Sequence, residues 1–365
     1  MTAELHLVLP GKLDQKTGGY LYDAHIVAGL RGRGIQVHVH SLPGPYPLVD
    51  QEAIVEADRV LAQLPDGALV VIDGLALPGV AGSLMVENHR LRLAALVHHP
   101  LSLEMGLSEA QARTLQLIEQ GSLARVQRVI VTSPATAETL LADFHVTPDR
   151  LGVVEPGTDW PERRERSATA GSGTDQLNLL CVATVTPRKG HLILVEALSR
   201  LADLPWRLTC IGSTTRDAGA AAAVQDAIAR HGLTGRIALM DEIEPEALRN
   251  QYRDADLFVL PSYYEGYGMA LAEALSHGLP IVSSKAGAIP TTVPADAGIL
   301  VPPGDVAALT EALCSILTDA ELRSRLTTAA CAAALKLPTW DDAVDGFAAE
   351  LMGMEPTLRG SLAGA

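Results

Sequence analysis

The sequence is short of cysteine, of basic charge and of long apolar runs. Its four cysteines, Cys181, Cys210, Cys314 and Cys331, form no CxxC pair, and none precedes residue 181. Cys181 and Cys210 lie inside apolar strand-like runs, which predicts buried thiols in a reducing compartment rather than a disulfide framework. Lysine and arginine total 28 against 43 aspartates and glutamates, a net charge of −15. That balance argues against nucleic acid as the main partner, because phosphate backbones require a basic face. It also leaves at most peripheral contact with an anionic membrane. No stretch approaches the roughly 18–20 uninterrupted apolar residues of a spanning helix, and MTAELHLVLPG has neither the charged nor the apolar region of a signal peptide. A cytoplasmic protein is expected. Several motifs are missing too. No GxGxxG follows the first apolar run, which disfavours a nicotinamide dehydrogenase, and no GxSxG supplies a hydrolase nucleophile. No HxxxH, HExxH or cysteine cluster suggests a metal.

What the chain has is apolar material: 48% hydrophobic residues against 19% charged, enough for sizeable cores. At roughly 100–200 residues per domain, 365 residues suggest two domains. Short Val/Ile/Leu-rich runs recur at residues 5–10, 35–42, 68–74, 91–99, 128–133 and 151–157, with helix-like segments between them. Residues 160–176, WPERRERSATAGSGTDQ, are charged and then Gly/Ser/Thr-rich, like a linker. The alternation resumes at 177–185, 206–213, 236–242, 255–262, 280–285 and 298–305, and helical segments end the chain through residue 352. Runs apolar on both faces, alternating with helices, are the mark of buried parallel sheets. The reading is therefore α/β, two doubly wound Rossmann-like domains facing across a cleft. Its boundaries are 1–160, a linker 161–176, a second domain 177–336, a C-terminal helix 337–354 and a tail 355–365. Ligands of such sheets bind at the carboxyl ends of the strands.

The strongest local signal is residues 262–280, SYYEGYGMALAEALSHGLP. Gly266 and Gly268 let backbone approach a ligand, and the free amides at the head of the helix that starts near Met269 suit a diphosphate. Two carboxylates, Glu265 and Glu273, would repel that group, so neutral hydroxyls of a sugar or ribose are their sensible partners. The competing explanation is a solvated Glu273 that merely complements the helix dipole. Met269–Leu275 has no other polar residue, which supports such a face poorly.

The string EGYGMALAEALSHGLPIV resembles the E-x7-E donor site of the family-4 retaining glycosyltransferases, which have the two-Rossmann GT-B architecture. YRDADLFVLPSYYEGYG, VATVTPRKGHLILVEAL, PADAGILVPPGD and the terminal TWDDAVDGF resemble further segments of that family, in the same order. The last of these implies a helix that crosses back to the first domain. The resemblance implies that Glu273 binds the nucleotide ribose. It also implies that Glu265, with the amides of Gly266, Tyr267, Gly268 and Met269, holds donor sugar and phosphate. Lys189 in TPRKG matches the family lysine that neutralises the leaving diphosphate. The family's second cation, five residues earlier, is here Thr184, and Arg188 is the candidate substitute. Gly18 and Gly19, in DQKTGGYLYDAHIVAGL, resemble the family's glycine loop that faces donor phosphate and acceptor, before a helix with apolar Leu21, Ile26, Val27 and Leu30. His98 aligns with a histidine that touches the donor sugar. His99, Thr184 and Gly212 are secondary candidates. Asp254-Ala-Asp256 spells the metal-binding DxD of a different transferase fold, but its place before an apolar run reads as a helix end and strand start.

The expected activity is retaining transfer from a nucleotide-diphosphate sugar to the hydroxyl of a small-molecule, saccharide or lipid-linked acceptor, by a front-face mechanism without metal or cofactor. A sugar-nucleotide epimerase or phosphorylase of the same architecture is the rival enzyme. The non-enzyme rival is a degenerate sugar-nucleotide-binding protein, favoured only by Thr184. Donor base, acceptor and oligomeric state are not encoded in these motifs.

Overall fold

The computed structural model describes residues 4–159 and 176–354. The linker read over 161–176, apart from its last residue, and the tail 355–365 lie outside the described residues. The chain divides into two compact units, Met1–Gly157 with Pro338–Ala365, and Thr158–Leu337. Each is built on one six-stranded parallel sheet.

In the first unit the strands are β1 (Glu4–Pro10), β2 (Gln36–Leu42), β3 (Leu69–Asp73), β4 (Arg92–Val97), β5 (Arg128–Val131) and β6 (Leu151–Val153), in spatial order β2-β1-β3-β4-β5-β6. The central strands β3 and β4 are buried on both faces, because helices cover the sheet on each side. The order reverses between β1 and β3, a topological switch point of the kind at which such sheets hold ligands, at the strands' carboxyl ends. In the second unit β7 (Leu177–Val182), β8 (Trp206–Ile211), β9 (Ile237–Met240), β10 (Leu257–Leu260), β11 (Ile281–Ser284) and β12 (Gly298–Val301) run β12-β11-β10-β7-β8-β9. That is the dinucleotide-fold order, with its switch point between β7 and β10. All twelve apolar runs read from the sequence become strands, eleven of them trimmed at an end and β1 longer by one residue. The Asp254-Ala-Asp256 segment is, as read, the end of the Pro245–Asp254 helix and the approach to β10. There Asp256 Oδ2 accepts the Asn178 amide at 2.9 Å, tying the start of β10 to β7.

The Trp340–Met352 helix packs on the first unit, although it follows the second in sequence. Thr339 and Asp342 cap its start reciprocally. Its inner face buries Ala343, Val344, Phe347, Ala348 and Leu351. It meets the Gly18–Gly32 helix where Gly29 faces Val344, and a Cβ at 29 would overlap that valine. Arg33 donates to Asp345 at 2.7 Å, and the His25 ring stacks on Trp340 with centroids 3.9 Å apart. One detail of the Gly18–Gly32 helix differs from the sequence reading. Leu21 is 38% exposed, whereas Tyr22 and Asp23 turn inward with Ile26, Val27 and Leu30. At about 100° per residue, Tyr22 shares a face with Ile26 and Leu21 falls outside it.

Phe347 is 1% exposed and is the largest side chain the C-terminal helix contributes to this core. Phe347→Ala is expected to destabilise the first unit by about 3–5 kcal/mol. Denaturant unfolding followed by circular dichroism checks this, and a loss under about 1 kcal/mol would show that the helix is not part of the core.

Candidate functional site

Two polar clusters stand at the two switch points. In the second unit, β7 leads through TPRKG into the His191–Ser199 helix, and β10 leads through PSYYEGYG into the Met269–Ser276 helix. Both loops turn on left-handed glycines. Gly190, at φ +72, lies against the Pro261 carbonyl, where no Cβ fits, and Gly268, at φ +93, is the N-cap of the Met269–Ser276 helix. The loops are then joined by charge. Lys189 Nζ donates to Glu265 Oε1 at 2.6 Å, Ser262 Oγ donates to the same oxygen at 2.6 Å, and Arg188 Nη1 lies 3.7 Å from Glu265 Oε2. Arg188 also donates to the Tyr264 carbonyl at 2.8 Å, while its own carbonyl accepts the Tyr263 amide. Thus both cations of TPRKG converge on one buried carboxylate. Burial alone would raise the Glu265 acid, but Lys189, then Arg188 and the two hydrogen bonds outweigh it and hold the group below its usual range. Two cations and one carboxylate leave the cluster with a net positive charge beside the amides of the Met269–Ser276 helix.

The other side of the turn is equally fixed. The Glu265 carbonyl accepts the Ala288 amide at 2.9 Å, and Gly287, at φ +53, presses so closely on Glu265 that a side chain would collide. The Tyr267 carbonyl accepts Thr292 Oγ1 at 2.6 Å. Gly266 and Met269 are half-buried, Tyr267 and Gly268 buried.

Glu273 has a different environment. It is half-buried and flanked by buried Ala272 and Ala274, so it does not sit on a solvated face. Tyr252 donates to its Oε2 at 2.8 Å, and the Tyr252 ring is stacked on His277 at 5.0 Å. Burial pushes the Glu273 acid up to about 7, against the effect of that hydrogen bond. Two glutamates eight residues apart therefore differ in acidity because cations outweigh burial at Glu265, whereas burial outweighs the Tyr252 hydrogen bond at Glu273.

In the first unit, Gly18 and Gly19 open the Gly18–Gly32 helix after β1. A Cβ at Gly19 would lie 3.1 Å from the ring of His98, so the glycine leaves space for that imidazole. His98 Nε2 lies 3.1 Å from Asp23 Oδ1 and 3.3 Å from Asp73 Oδ2, both carboxylates buried. Burial disfavours the imidazolium, yet Asp23 and then Asp73 more than compensate and hold His98 at about 10. Burial raises the Asp23 acid to about 6, with the His98 charge opposing. His99 turns elsewhere, its Nε2 2.9 Å from Glu104. The loop after both histidines is anchored by buried Glu119, which accepts the amides of Leu101 and Ser102 at 2.7 and 3.2 Å. Asp23, Asp73 and Glu119 escaped the sequence reading. Only Asp73 had a visible signal, an acid at the end of an apolar run.

Of the secondary candidates, Thr184 is half-buried in the loop after β7. Gly212, at φ +151, follows β8 where a Cβ would collide with the backbone of Ala183 and Thr184. Its requirement for glycine comes from that close approach of two strand ends.

The family model described as "Glycosyl transferases group 1" matches residues 176–319. The MMP alpha-(1->4)-mannosyltransferase of Mycolicibacterium hassiacum is 30% identical over 291 residues, 74% of this chain and 67% of that protein. The chain is a group 1 glycosyltransferase. A D-inositol 3-phosphate glycosyltransferase of Xylanimonas cellulosilytica is 28% identical, over 73% of this glycosyltransferase and 67% of its relative. Two solved structures show the same fold. Sucrose-phosphate synthase of Thermosynechococcus elongatus superposes with a TM-score of 0.78 at 20% identity, covering 100% of both chains. HepE of Anabaena, solved with UDP-glucose, gives 0.75 at 16% identity over 96% of this glycosyltransferase and 99% of HepE. The fold class is thus the GT-B class that the resemblance implied.

The raised pKa of Glu273 has a testable consequence in the unliganded glycosyltransferase. Its folded value of about 7 lies above the ordinary 4.5, so folding favours the protonated form. That contribution is complete below about 4.5 and is lost as pH rises through about 7. Glu273→Gln keeps the shape and cannot ionise, so its stability relative to wild type should increase between about pH 5 and pH 8. Thermal melts across that range check it; a constant difference contradicts the environment described.

Proposed function

We propose that this glycosyltransferase moves a sugar, with retention, from a nucleotide-diphosphate sugar to an acceptor hydroxyl, without a metal ion. The observation that carries the reading is the joining of TPRKG to EGYG through Glu265. Lys189 and Arg188 are held, with a net positive charge, at the head of a helix whose first amides lie at Gly268 and Met269. A leaving diphosphate needs such preorganised positive charge, the largest usual catalytic contribution. Arg188 takes the place of the family arginine missing at Thr184. The Glu273 carboxylate serves the ribose hydroxyls, accepting from them as it accepts from Tyr252. HepE was solved with UDP-glucose, which supports a nucleotide sugar as donor and makes UDP-sugars the first to try.

Glu265 is a positioning residue in this account. Its oxygens are engaged by Lys189, Ser262 and Arg188, so it is poorly placed to attack an anomeric carbon. That favours departure and attack on the same face of the sugar, with the leaving phosphate taking the acceptor's proton. The second unit is assigned to the donor. The first is assigned to the acceptor, while Gly18, Gly19 and His98 keep the donor roles that the family resemblance implies. The D-inositol 3-phosphate glycosyltransferases among its relatives make an inositol phosphate one acceptor to test.

Nucleotide release from UDP-, GDP-, ADP- and TDP-sugars tests the reading. Lys189→Ala is expected to lower kcat about 10²–10³-fold, as loss of one transition-state donor does. Glu273→Ala should weaken donor binding about tenfold to a hundredfold, the loss of a charged hydrogen bond. Wild-type rates in both variants, or no turnover with any donor, would overturn the assignment.

A further inference from the structure

A third cluster lies in the core of the second unit and takes no part in the chemistry above. Cys181 on β7 and Cys210 on β8 are register partners in a parallel pair, so their side chains leave the sheet on the same face. The chain then passes through Lys189 and left-handed Gly190 and starts the His191–Ser199 helix with His191 over that face. His191 Nε2 is 3.8 Å from Cys181 Sγ, and one ligating atom of each of the three residues lies within 4.8 Å of the others. All three are at most 2% exposed, and both cysteines are free thiols. His191 Nδ1 is also buried and has no hydrogen-bond partner. Aliphatic side chains would pack this space without burying an unpartnered nitrogen, so packing alone gives no reason for an imidazole here.

The spacing fits a cation. With metal–sulfur bonds of about 2.3 Å and a metal–nitrogen bond of about 2.0–2.1 Å, a trigonal site sets sulfur and nitrogen about 3.8 Å apart. We propose that Cys181, Cys210 and His191 form a buried three-coordinate site for a thiophilic monovalent cation, copper(I). Two thiolates are soft donors that select it, and an imidazole also suits copper. Zinc wants four ligands, and no fourth His, Cys, Asp or Glu joins the cluster among the described residues. Binding breaks the two S–H bonds, releases both protons to solvent and forms two Cu–S bonds and one Cu–N bond from the Nε2 lone pair. The remaining imidazole proton sits on Nδ1, and no oxidation state changes. The bound ion clamps β7, β8 and the start of the helix that follows Lys189. No spacing motif exposes this site, because 28 residues separate the two cysteines in the sequence and sheet register alone brings them together.

The test is anaerobic titration of the reduced full chain with copper(I) against a chromogenic copper(I) chelator. Wild type is expected to withdraw one equivalent, gain a near-ultraviolet sulfur-to-copper absorption and melt several degrees higher. Cys181→Ser, Cys210→Ala and His191→Phe should lose that uptake, while Cys331→Ser, which alters an exposed thiol, should keep it. If wild type withdraws no copper, the proposal fails whatever the variants do. It fails equally if uptake survives in Cys210→Ala or disappears in Cys331→Ser.

Discussion

The ion pair between Lys189 and Glu265 is the constraint on which the second unit's site depends. Burying charges is costly, and a buried pair is tolerated only when geometry and extra hydrogen bonds compensate for lost hydration. Here the compensation is visible: Ser262 shares the Oε1 oxygen, Arg188 faces Oε2, and Arg188 is itself held by the Tyr264 carbonyl. The backbone follows suit, with Gly190 and Gly287 at positions that admit no side chain. The result is a loop pair locked in place before any ligand arrives. Preorganisation of this kind is what electrostatic catalysis requires, since charges that need not reorient cost nothing at the moment of bond cleavage.

The same logic separates the acids and bases of the molecule into distinct roles. Glu265 is held ionised by cations, Glu273 is pushed towards neutrality by burial, and His98 is held cationic by Asp23 and Asp73. Environments that drive similar side chains apart in acidity are how a fold assigns them different chemistry. In the role proposed for it, Glu273, whose acid burial pushes up to about 7, can adapt its charge to a ligand of hydroxyl groups. Glu265 is held ionised and, in the same proposal, fixes its neighbours.

Much of the architecture was legible in the sequence because it is written locally. Strands that are apolar on both faces, and the helix from Met269 to Ser276, follow from short-range pattern and needed no tertiary knowledge. The glutamates, glycines and cations of the proposed donor site were singled out through their resemblance to a family. What could not be read were pairings made across the sheets. Lys189 and Glu265 are 76 residues apart, and His98 and Asp23 are 75 apart. Nothing in the string DAHIVAGL tells Asp23 from a surface acid, and only folding shows it beneath an imidazole. The exposure of Leu21 is a smaller case: Ile26, Val27 and Leu30 do lie on the buried face, and only Leu21, grouped with them as apolar, falls outside it.

The central claim is that the Lys189–Glu265 junction and the Gly266–Met269 turn together seat a diphosphate. A crystal structure with a bound nucleoside diphosphate tests it most directly. The account predicts phosphate density within hydrogen-bond distance of Lys189 Nζ and of amides in the Gly266–Met269 turn, with Glu265 still on Lys189 and the ribose at Glu273. Phosphate bound elsewhere, or a ribose away from Glu273, would contradict it.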